Sequence, residues 1–392
     1  MKGRIWNLDP IIQKDPDTGI PVTRLTDNDG DTYHPYFTMP LFSKGGEFLL
    51  CASTRTGSPQ LYALYFKEKK LVQLTDEENV AVGGALMDAQ NNKVYYTSND
   101  ILKVLNLDTN KTEEILKAPA GYHIGQLSIT NNGSHLAFSV LEEIELMDES
   151  KIEQERGRQL ASCERLYRRP NSFVIRYDAV HDTYRTVWGE NEWISHTNIS
   201  PHDPNVILFC HEASWFLVQR MWICKVATDE ISPLVKQEYN LQRVGHEFFT
   251  ASGRVGAQFS LRHTPELPFY LHGDLFVNTD GSKEMRYFYP FTRPNHVQLN
   301  HTETLGVGDR AQIRRNQTDH NRYMSLLKYD PETFKVQVGL LCAHNTTWKG
   351  QPTHPHAIFT PDDSHVIFSS QAGGKCNIYM APADWEHCIK SE

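Results

Sequence analysis

The sequence lacks the patterns that mark secreted, membrane-spanning and general nucleic-acid-binding proteins. Its seven cysteines are scattered, and none forms a Cys-x-x-Cys pair, which favours reduced thiols in a cytosolic protein. No apolar run approaches the roughly 20 residues of a membrane-spanning helix, and the polar opening MKGRIWNLDPIIQKDPD does not resemble a signal peptide. The net charge of -9 provides no general basic surface for phosphate groups. We therefore expect a cytoplasmic protein that binds neither membranes nor nucleic acids, with homo-oligomerisation left open.

A repeated pattern of turns and short strands runs through the chain. Each copy has a turn with Gly, Asn or Asp, then an alternating strand that ends in small residues, and a second strand follows. Such a repeat predicts an all-β fold, namely a seven-bladed β-propeller with four-stranded blades. The copies lie at 41–53, 86–98, 128–140, 199–211, 248–260, 299–310 and 358–370.

The two ends of the chain are predicted to complete one blade. The last copy lacks an outer strand, and PVTRLT at 21–26 resembles the strand LVQLT at 71–75. We expect residues 21–26 to pair as the outer strand of the last blade, because ring closure removes an open sheet edge. The chain, 1–392, would then form a single propeller domain; two smaller all-β domains are the alternative.

One long insertion interrupts the repeat. Residues 141–170 have helical composition, with acidic residues early and basic residues late, and they end at Pro170. We expect a helical insertion that caps one rim of the propeller. It either places Arg165 or Arg168 near the central channel or forms only a solvated lid.

Histidine is abundant and regularly placed. The chain has 18 histidines, and nearly every repeat has one where the innermost strand of a blade would begin. His354 and His356 flank Pro355, and alternation in a strand would put both imidazoles on the same side. Two such imidazoles begin a metal chelate, and His296 from the adjacent blade would add a third. The alternative is a set of imidazoles that hydrogen-bond around the channel.

Four longer motifs resemble those of one known family. FCHEASWFLVQRMW (209–222) and GHEFF (245–249) are similar to its Cys-His-Glu segment with a following Arg-Met-Trp and to its Thr-His-Glu-Phe-Trp segment. HNTTW (344–348) and QPTHPHAIFTPDD (351–363) are similar to its His-Asn-Thr-Ser-Trp and Gln-Val-Thr-His-Pro-His segments. On these motifs the chain resembles oligogalacturonate lyase, a seven-bladed propeller enzyme of pectin breakdown.

The resemblance implies a set of site residues and a divalent metal, usually Mn²⁺. The chain departs from the family pattern around His296, where it reads NHVQLNHTET, and across 252–295, so its substrate preference could differ. The implied residues are His296, Gln351, His354 and His356 for the metal, His246 and Arg220 for catalysis, and His211, His196 and His34 for substrate binding.

The implied reaction is β-elimination on a short oligogalacturonide such as digalacturonate. His246 would take the C5 proton, while the metal and Arg220 stabilise the enolate-like charge on the carboxylate. Glu247 follows His246 in a strand and is expected to face the other side. Three alternatives stay open: a lyase for another uronide, a hydrolase that uses zinc-bound hydroxide, and a non-catalytic propeller that binds no metal.

Overall fold

The structure of the protein, a computed structural model, describes residues 2–146, 154–213, 215–238, 241–262, 271–290, 294–311 and 322–390. The described chain is all-β apart from one α-helix and short 3-10 turns. It falls into two compact units: unit 1 comprises Met1–Asn99, Leu105–Lys111 and Arg286–Glu392, and unit 2 comprises Asp100–Val104 and Thr112–Met285. Within the described residues, no helix combines the length and apolarity that a membrane crossing requires.

Unit 1 contains two five-stranded antiparallel sheets. The first has the spatial order β1 (Ile5–Asn7), β7 (Lys70–Gln73), β6 (Gln60–Tyr65), β5 (Phe48–Ser53) and β4 (Thr32–Tyr33). The second has the order β2 (Ile11–Lys14), β3 (Pro21–Arg24), β30 (Asn377–Pro382), β29 (His365–Ser370) and β28 (Ile358–Phe359).

The second sheet joins the N-terminal strand to the C-terminal region, as the sequence predicts. In β3, Thr23 pairs with Met380 and Arg24 with Tyr379 of β30. Beyond β3, the hydroxyl group of Thr26 accepts a 3.1 Å hydrogen bond from the main-chain N–H of Ile378. The additional edge strand β2 pairs with β3 and was not predicted from the sequence.

The other strands of unit 1 form hairpins. β24 (Val297–Leu299), β25 (Gly306–Gly308), β26 (Tyr323–Asp330) and β27 (Lys335–Ala343) pair antiparallel in that order, and β31 (Ile389–Lys390) pairs with β27. β8 (Leu86–Asp88) pairs with β9 (Lys93–Ser98). Within the described ranges, 3-10 turns lie at Lys44–Gly46, Val82–Gly84 and Gln351–Thr353. Some strands have residues in both units, namely β10 (Ile101–Asn106), β11 (Lys111–Lys117) and β23 (Met285–Phe288).

Unit 2 contains three antiparallel arrays of strands in chain order. The first comprises β12 (Tyr122–Ile129), β13 (His135–Glu142), β14 (Asn171–Asp178) and β15 (Thr183–Asn191). The second comprises β16 (Ile194–Ile199), β17 (Val206–His211), β18 (Met221–Lys225) and β19 (Glu230–Pro233). In the third, β20 (Gln242–Phe249) pairs with β21 (Val255–Leu261), which pairs with β22 (Leu271–Val277).

The helix in the insertion of unit 2 is shorter than predicted. The helix α1 covers Gln154–Arg168. The predicted start at residue 141 is wrong, because Leu141 still pairs with Ser172 in the hairpin of β13 and β14; residues 147–153 lie outside the described part of the chain. The Arg165 guanidinium lies 4.8 Å from the ring centroid of Trp193, and Arg168 pairs with Glu164 at 2.7 Å.

Burial on both faces explains why several strands read as continuous apolar runs. Every residue of β5, FLLCAS, is buried. In unit 2, Phe209 of β17 and Cys224 of β18 belong to one buried cluster with Val174 of β14 and Ile194 of β16. Apolar side chains therefore fill the space between neighbouring sheets, and this packing holds the ends of the strands, where the predicted histidines lie, in fixed positions.

Candidate functional site

Three histidines of unit 1 meet just before two strands. His296 precedes β24, and His354 and His356 precede β28. One nitrogen atom of each imidazole lies within 4.8 Å of the others, and the ring centroids of His296 and His356 are 4.5 Å apart. Among the described residues, these three are the group of His, Cys, Asp or Glu side chains that is placed to hold a metal ion. The structure thus brings together the three predicted histidines, and their role as ligands stays a prediction.

A turn, and not strand alternation, brings His354 and His356 together. β28 begins only at Ile358, so the predicted strand geometry for this pair is wrong. The 3-10 turn Gln351–Thr353 leads into His354, and Pro355 fixes its own backbone φ angle. His356 then adopts a φ of 48°, a left-handed conformation that few non-glycine residues adopt outside functional sites and turns.

Asp309 orients the imidazole of His296. Its Oδ2 accepts a 2.5 Å hydrogen bond from Nδ1 of His296, and its Oδ1 accepts bonds from the main-chain N–H groups of Asn295 and His296. Burial alone would raise the pKa of Asp309, but the charge and hydrogen bonds of His296 hold it below its usual value. Because Nδ1 donates to the carboxylate, Nε2 of His296 is the nitrogen suited to a metal.

The sequence prediction missed Asp309. The feature that could have identified Asp309 is the hairpin of β24 and β25, in which Val297 pairs with Gly308. This register places the preceding residue, His296, opposite Asp309. The pairing could have been proposed only after the short turn between the two strands had been assigned, because that turn sets the register.

Aromatic rings surround the three imidazoles. The ring of Tyr36 lies 5.0 Å from that of His356, Phe37 lies 5.1 Å from His296, and Trp348 lies 4.7 Å from His354. These rings lower the local polarity around the nitrogen atoms, which strengthens electrostatic interactions there.

Two further predicted residues of unit 1, His34 and Gln351, differ in their relation to this cluster. His34 is buried, and its ring centroid is 6.5 Å from that of His356. Burial lowers the pKa of His34 to about 4, and the carbonyl groups of Pro35 and Pro355 oppose this only in part. Gln351 begins the 3-10 turn with an exposed side chain, and its main-chain carbonyl accepts a 3.1 Å bond from the N–H of His354. Their proposed roles stay predictions.

The predicted catalytic histidine lies in unit 2 at a break in strand pairing. The register of β20 against β21 shifts between Gly245 and Phe248, and His246 within the break has a φ of 52°. Nδ1 of His246 is 3.0 Å from Oε1 of Gln258. Since an amide oxygen only accepts hydrogen bonds, Nδ1 carries the proton, and Nε2 has the lone pair that a general base requires.

Arg220, the other predicted catalytic residue, is fully buried between two carboxylates of unit 2. Its Nε donates to Glu247 at 3.2 Å and its Nη1 to Glu212 at 2.9 Å, while the ring of Trp215 lies 4.6 Å from the guanidinium carbon. Burial would raise the pKa of Glu212, but the charge of Arg220 lowers it to about 2. Glu212 and Glu247 thus share the charge of one guanidinium. The expectation that Glu247 does not serve His246 agrees with this arrangement.

The remaining predicted histidines of unit 2 contact glutamates. Nε2 of His211 is 2.7 Å from Oε1 of Glu190, and Nε2 of His196 is 3.7 Å from Oε2 of Glu212. Glu212 therefore connects His196 to the buried arginine. Sequence reasoning assigned no role to either glutamate, although Glu212 stands in the Cys-His-Glu segment that carried the resemblance.

The fold and the three-histidine cluster define an all-β protein with a candidate centre for a divalent metal. The family model for oligogalacturonate lyase matches residues 1–384. The chain therefore belongs to the oligogalacturonate lyase family, and its class is that of the polysaccharide lyases.

Individual relatives agree with this assignment. The chain is 28% identical over 401 residues to the oligogalacturonate lyase of Dickeya dadantii (strain 3937), and the alignment covers 97% of each chain. A crystal structure of oligogalacturonate lyase from Vibrio parahaemolyticus shares the fold, with a TM-score of 0.85, 22% identity and coverage of 99% of this chain and 100% of that one. An oligogalacturonate lyase in complex with manganese has a TM-score of 0.84 and 22% identity, over 98% and 99% of the two chains.

Proposed function

We propose that the protein is a metal-dependent lyase that cleaves short oligogalacturonides, such as digalacturonate, by β-elimination. The observation that carries this proposal is the meeting of His296, His354 and His356 in a chain of the oligogalacturonate lyase family. We also propose that the sheets form seven four-stranded blades of a propeller. The pairing of β3 with β30 supports this, because it joins the two ends of the chain in one sheet.

The donor set fits a divalent ion. Three imidazoles with nitrogen atoms within 4.8 Å of one another would hold it, together with Gln351, whose amide oxygen suits a harder ion such as Mn²⁺. The structure of a relative in complex with manganese supports that choice of metal. When bound, the ion supplies positive charge that stabilises the negative charge developing on the uronate carboxylate.

His246 is the proposed base. Its Nε2 takes the C5 proton, and the electron pair of the C5–H bond forms the 4,5-double bond as the bond between C4 and the glycosidic oxygen breaks. That oxygen leaves with the departing sugar and gains a proton. Gln258 keeps the other proton of the imidazole on Nδ1, so the ring presents its basic nitrogen before each turnover.

Arg220 is the proposed partner of the substrate carboxylate. Its hydrogen bonds to Glu212 and Glu247 use three of the five N–H groups of a guanidinium. The substrate carboxylate would take the other two. Because the guanidinium is fully buried, this role requires local movement around it when substrate binds.

Ultraviolet absorbance tests the proposal, because the 4,5-unsaturated product absorbs and a hydrolysis product does not. With digalacturonate and Mn²⁺ we expect absorbance to rise, and we expect a chelator or His246→Ala to abolish the rise. His301→Ala is the matched control, since His301 is an exposed histidine paired with Asp363. Cleavage without an increase in absorbance would contradict the elimination. Absorbance with another uronide alone would change the substrate and keep the mechanism.

We further propose that the enzyme acts in the cytoplasm. All seven cysteines are free thiols, as expected in a reducing compartment. Fractionation of the source cells should recover the native protein with the cytoplasmic marker; recovery with a periplasmic or extracellular marker would contradict this.

A further inference from the structure

The first strands of the three arrays in unit 2 follow one another in space. β12 packs beside β16, and β16 packs beside β20. A hydrogen bond of 2.8 Å from the main-chain N–H of Ile199 to the hydroxyl oxygen of Ser128 ties β16 to β12. The three strands therefore form a row of neighbouring strands.

Each strand of this row has a break in pairing near the same place in the repeat, one residue earlier in β12 than in β16 and β20. The breaks lie between Ile124 and Leu127, between Ser195 and Asn198, and between Gly245 and Phe248. A Ser or Thr follows each of the three strands. Counting back four residues from it gives a residue that lies within the break, and this residue is half-buried in all three strands. These residues are Gln126 (before Thr130), His196 (before Ser200) and His246 (before Thr250).

The surroundings of the first and third breaks are also alike. The residue before Gln126 is Gly125, where an added Cβ would lie 2.3 Å from the hydroxyl of Ser139. The residue before His246 is Gly245, where an added Cβ would lie 2.5 Å from the ring of Trp215. In both strands a neighbouring side chain lies close to the backbone beside the break, and an added Cβ would force that side chain to move. Counted along the chain, Gln126 thus has the place in its strand that His246 has in β20, although His246 and His196 have φ angles of 52° and 47° and Gln126 has no positive φ.

We propose that Gln126 binds the oligouronide substrate and helps to determine its specificity. This rests on the function proposed above. A bulge re-aims the side chain that it contains, and the chain uses the equivalent position for His246, the proposed base, and for His196. The amide of Gln126 can donate and accept hydrogen bonds without titrating, which suits the hydroxyl groups of a sugar next to the cleaved bond.

Steady-state kinetics on digalacturonate test the role of Gln126. Loss of one neutral hydrogen bond to substrate in Gln126→Ala should raise KM about three- to tenfold. Gln126→Glu should raise KM further, because a carboxylate repels an anionic uronide, and added salt should reduce that second increase. The matched control is Gln13→Ala, in the exposed strand β2, which should leave kcat and KM unchanged.

A purely structural role would give a different result. If Gln126→Ala lowers the melting temperature but leaves KM within twofold of the unmodified protein, the proposal is overturned. Equal KM values for Gln126→Ala and Gln126→Glu would also overturn it. An unmodified protein that cleaves no uronide would instead refute the proposed function, so the two failures are distinguishable.

Discussion

Asp309 and His296 form a buried carboxylate–imidazole pair, with Oδ2 of Asp309 2.5 Å from Nδ1 of His296. The same carboxylate accepts two main-chain hydrogen bonds through its other oxygen. Its position is therefore fixed by the backbone, and it fixes in turn the orientation of one proposed metal ligand. This relationship makes the metal centre testable without any assay of activity.

Asp309→Asn should weaken Mn²⁺ binding about 10- to 100-fold, because an amide holds the imidazole less firmly and makes it a poorer donor. Calorimetric titration with Mn²⁺ measures the effect. Asp363→Asn is the control, since Asp363 pairs with His301, whose side chain is exposed, in the same way at 2.7 Å. Equal affinity in the two variants would show that Asp309 does not support the metal centre.

Glu247→Gln should destabilise the protein by about 3 kcal/mol, because the buried charge of Arg220 loses one of its two partners. Urea unfolding measures the change in the free energy of unfolding. Glu230→Gln removes the partner of Lys225 from an exposed ion pair and should change that free energy by less than about 1 kcal/mol. Similar losses in both variants would count against a special role for the buried pair.

The contribution of Glu212 to the free energy of unfolding should change with pH over a limited acidic range. Its pKa in the folded protein is about 2, which is below the roughly 4.3 of an unfolded glutamate. The charged form is thus favoured by folding, and its stabilisation is complete above about pH 5 and lost as pH falls towards 2. The difference in unfolding free energy between the unmodified protein and Glu212→Gln should shrink between pH 5 and 3. A difference that stays constant over this range would be the contrary result.

Gln258→Glu should alter the pH dependence of turnover, because Gln258 contacts Nδ1 of His246. A carboxylate there favours the protonated imidazole, so the acid limb of the kcat profile should move to higher pH. Gln13→Glu, on the exposed strand β2, should leave the profile in place. An unchanged profile in Gln258→Glu would argue against His246 as the base.

Local sequence patterns determined much of the fold on their own. Alternating strands and turn residues predict the hairpins, since side-chain periodicity and turn chemistry act over a few residues. The likeness of 21–26 to 71–75 predicted the strand that pairs with the C-terminal sheet. Regular spacing and motifs likewise singled out His296, His354 and His356, which lie close together in the structure.

Tertiary structure alone decided how those residues are held. The register of a hairpin places Asp309 beside His296, and Glu247 contacts Arg220 from a different segment of the chain. Neither contact can be inferred from the local sequence alone. The left-handed backbone of His356 and the start of α1 at Gln154 were likewise not indicated by the sequence pattern. Periodicity specifies which face of a strand is buried, whereas hydrogen-bond partners depend on strand register and on close packing between distant segments.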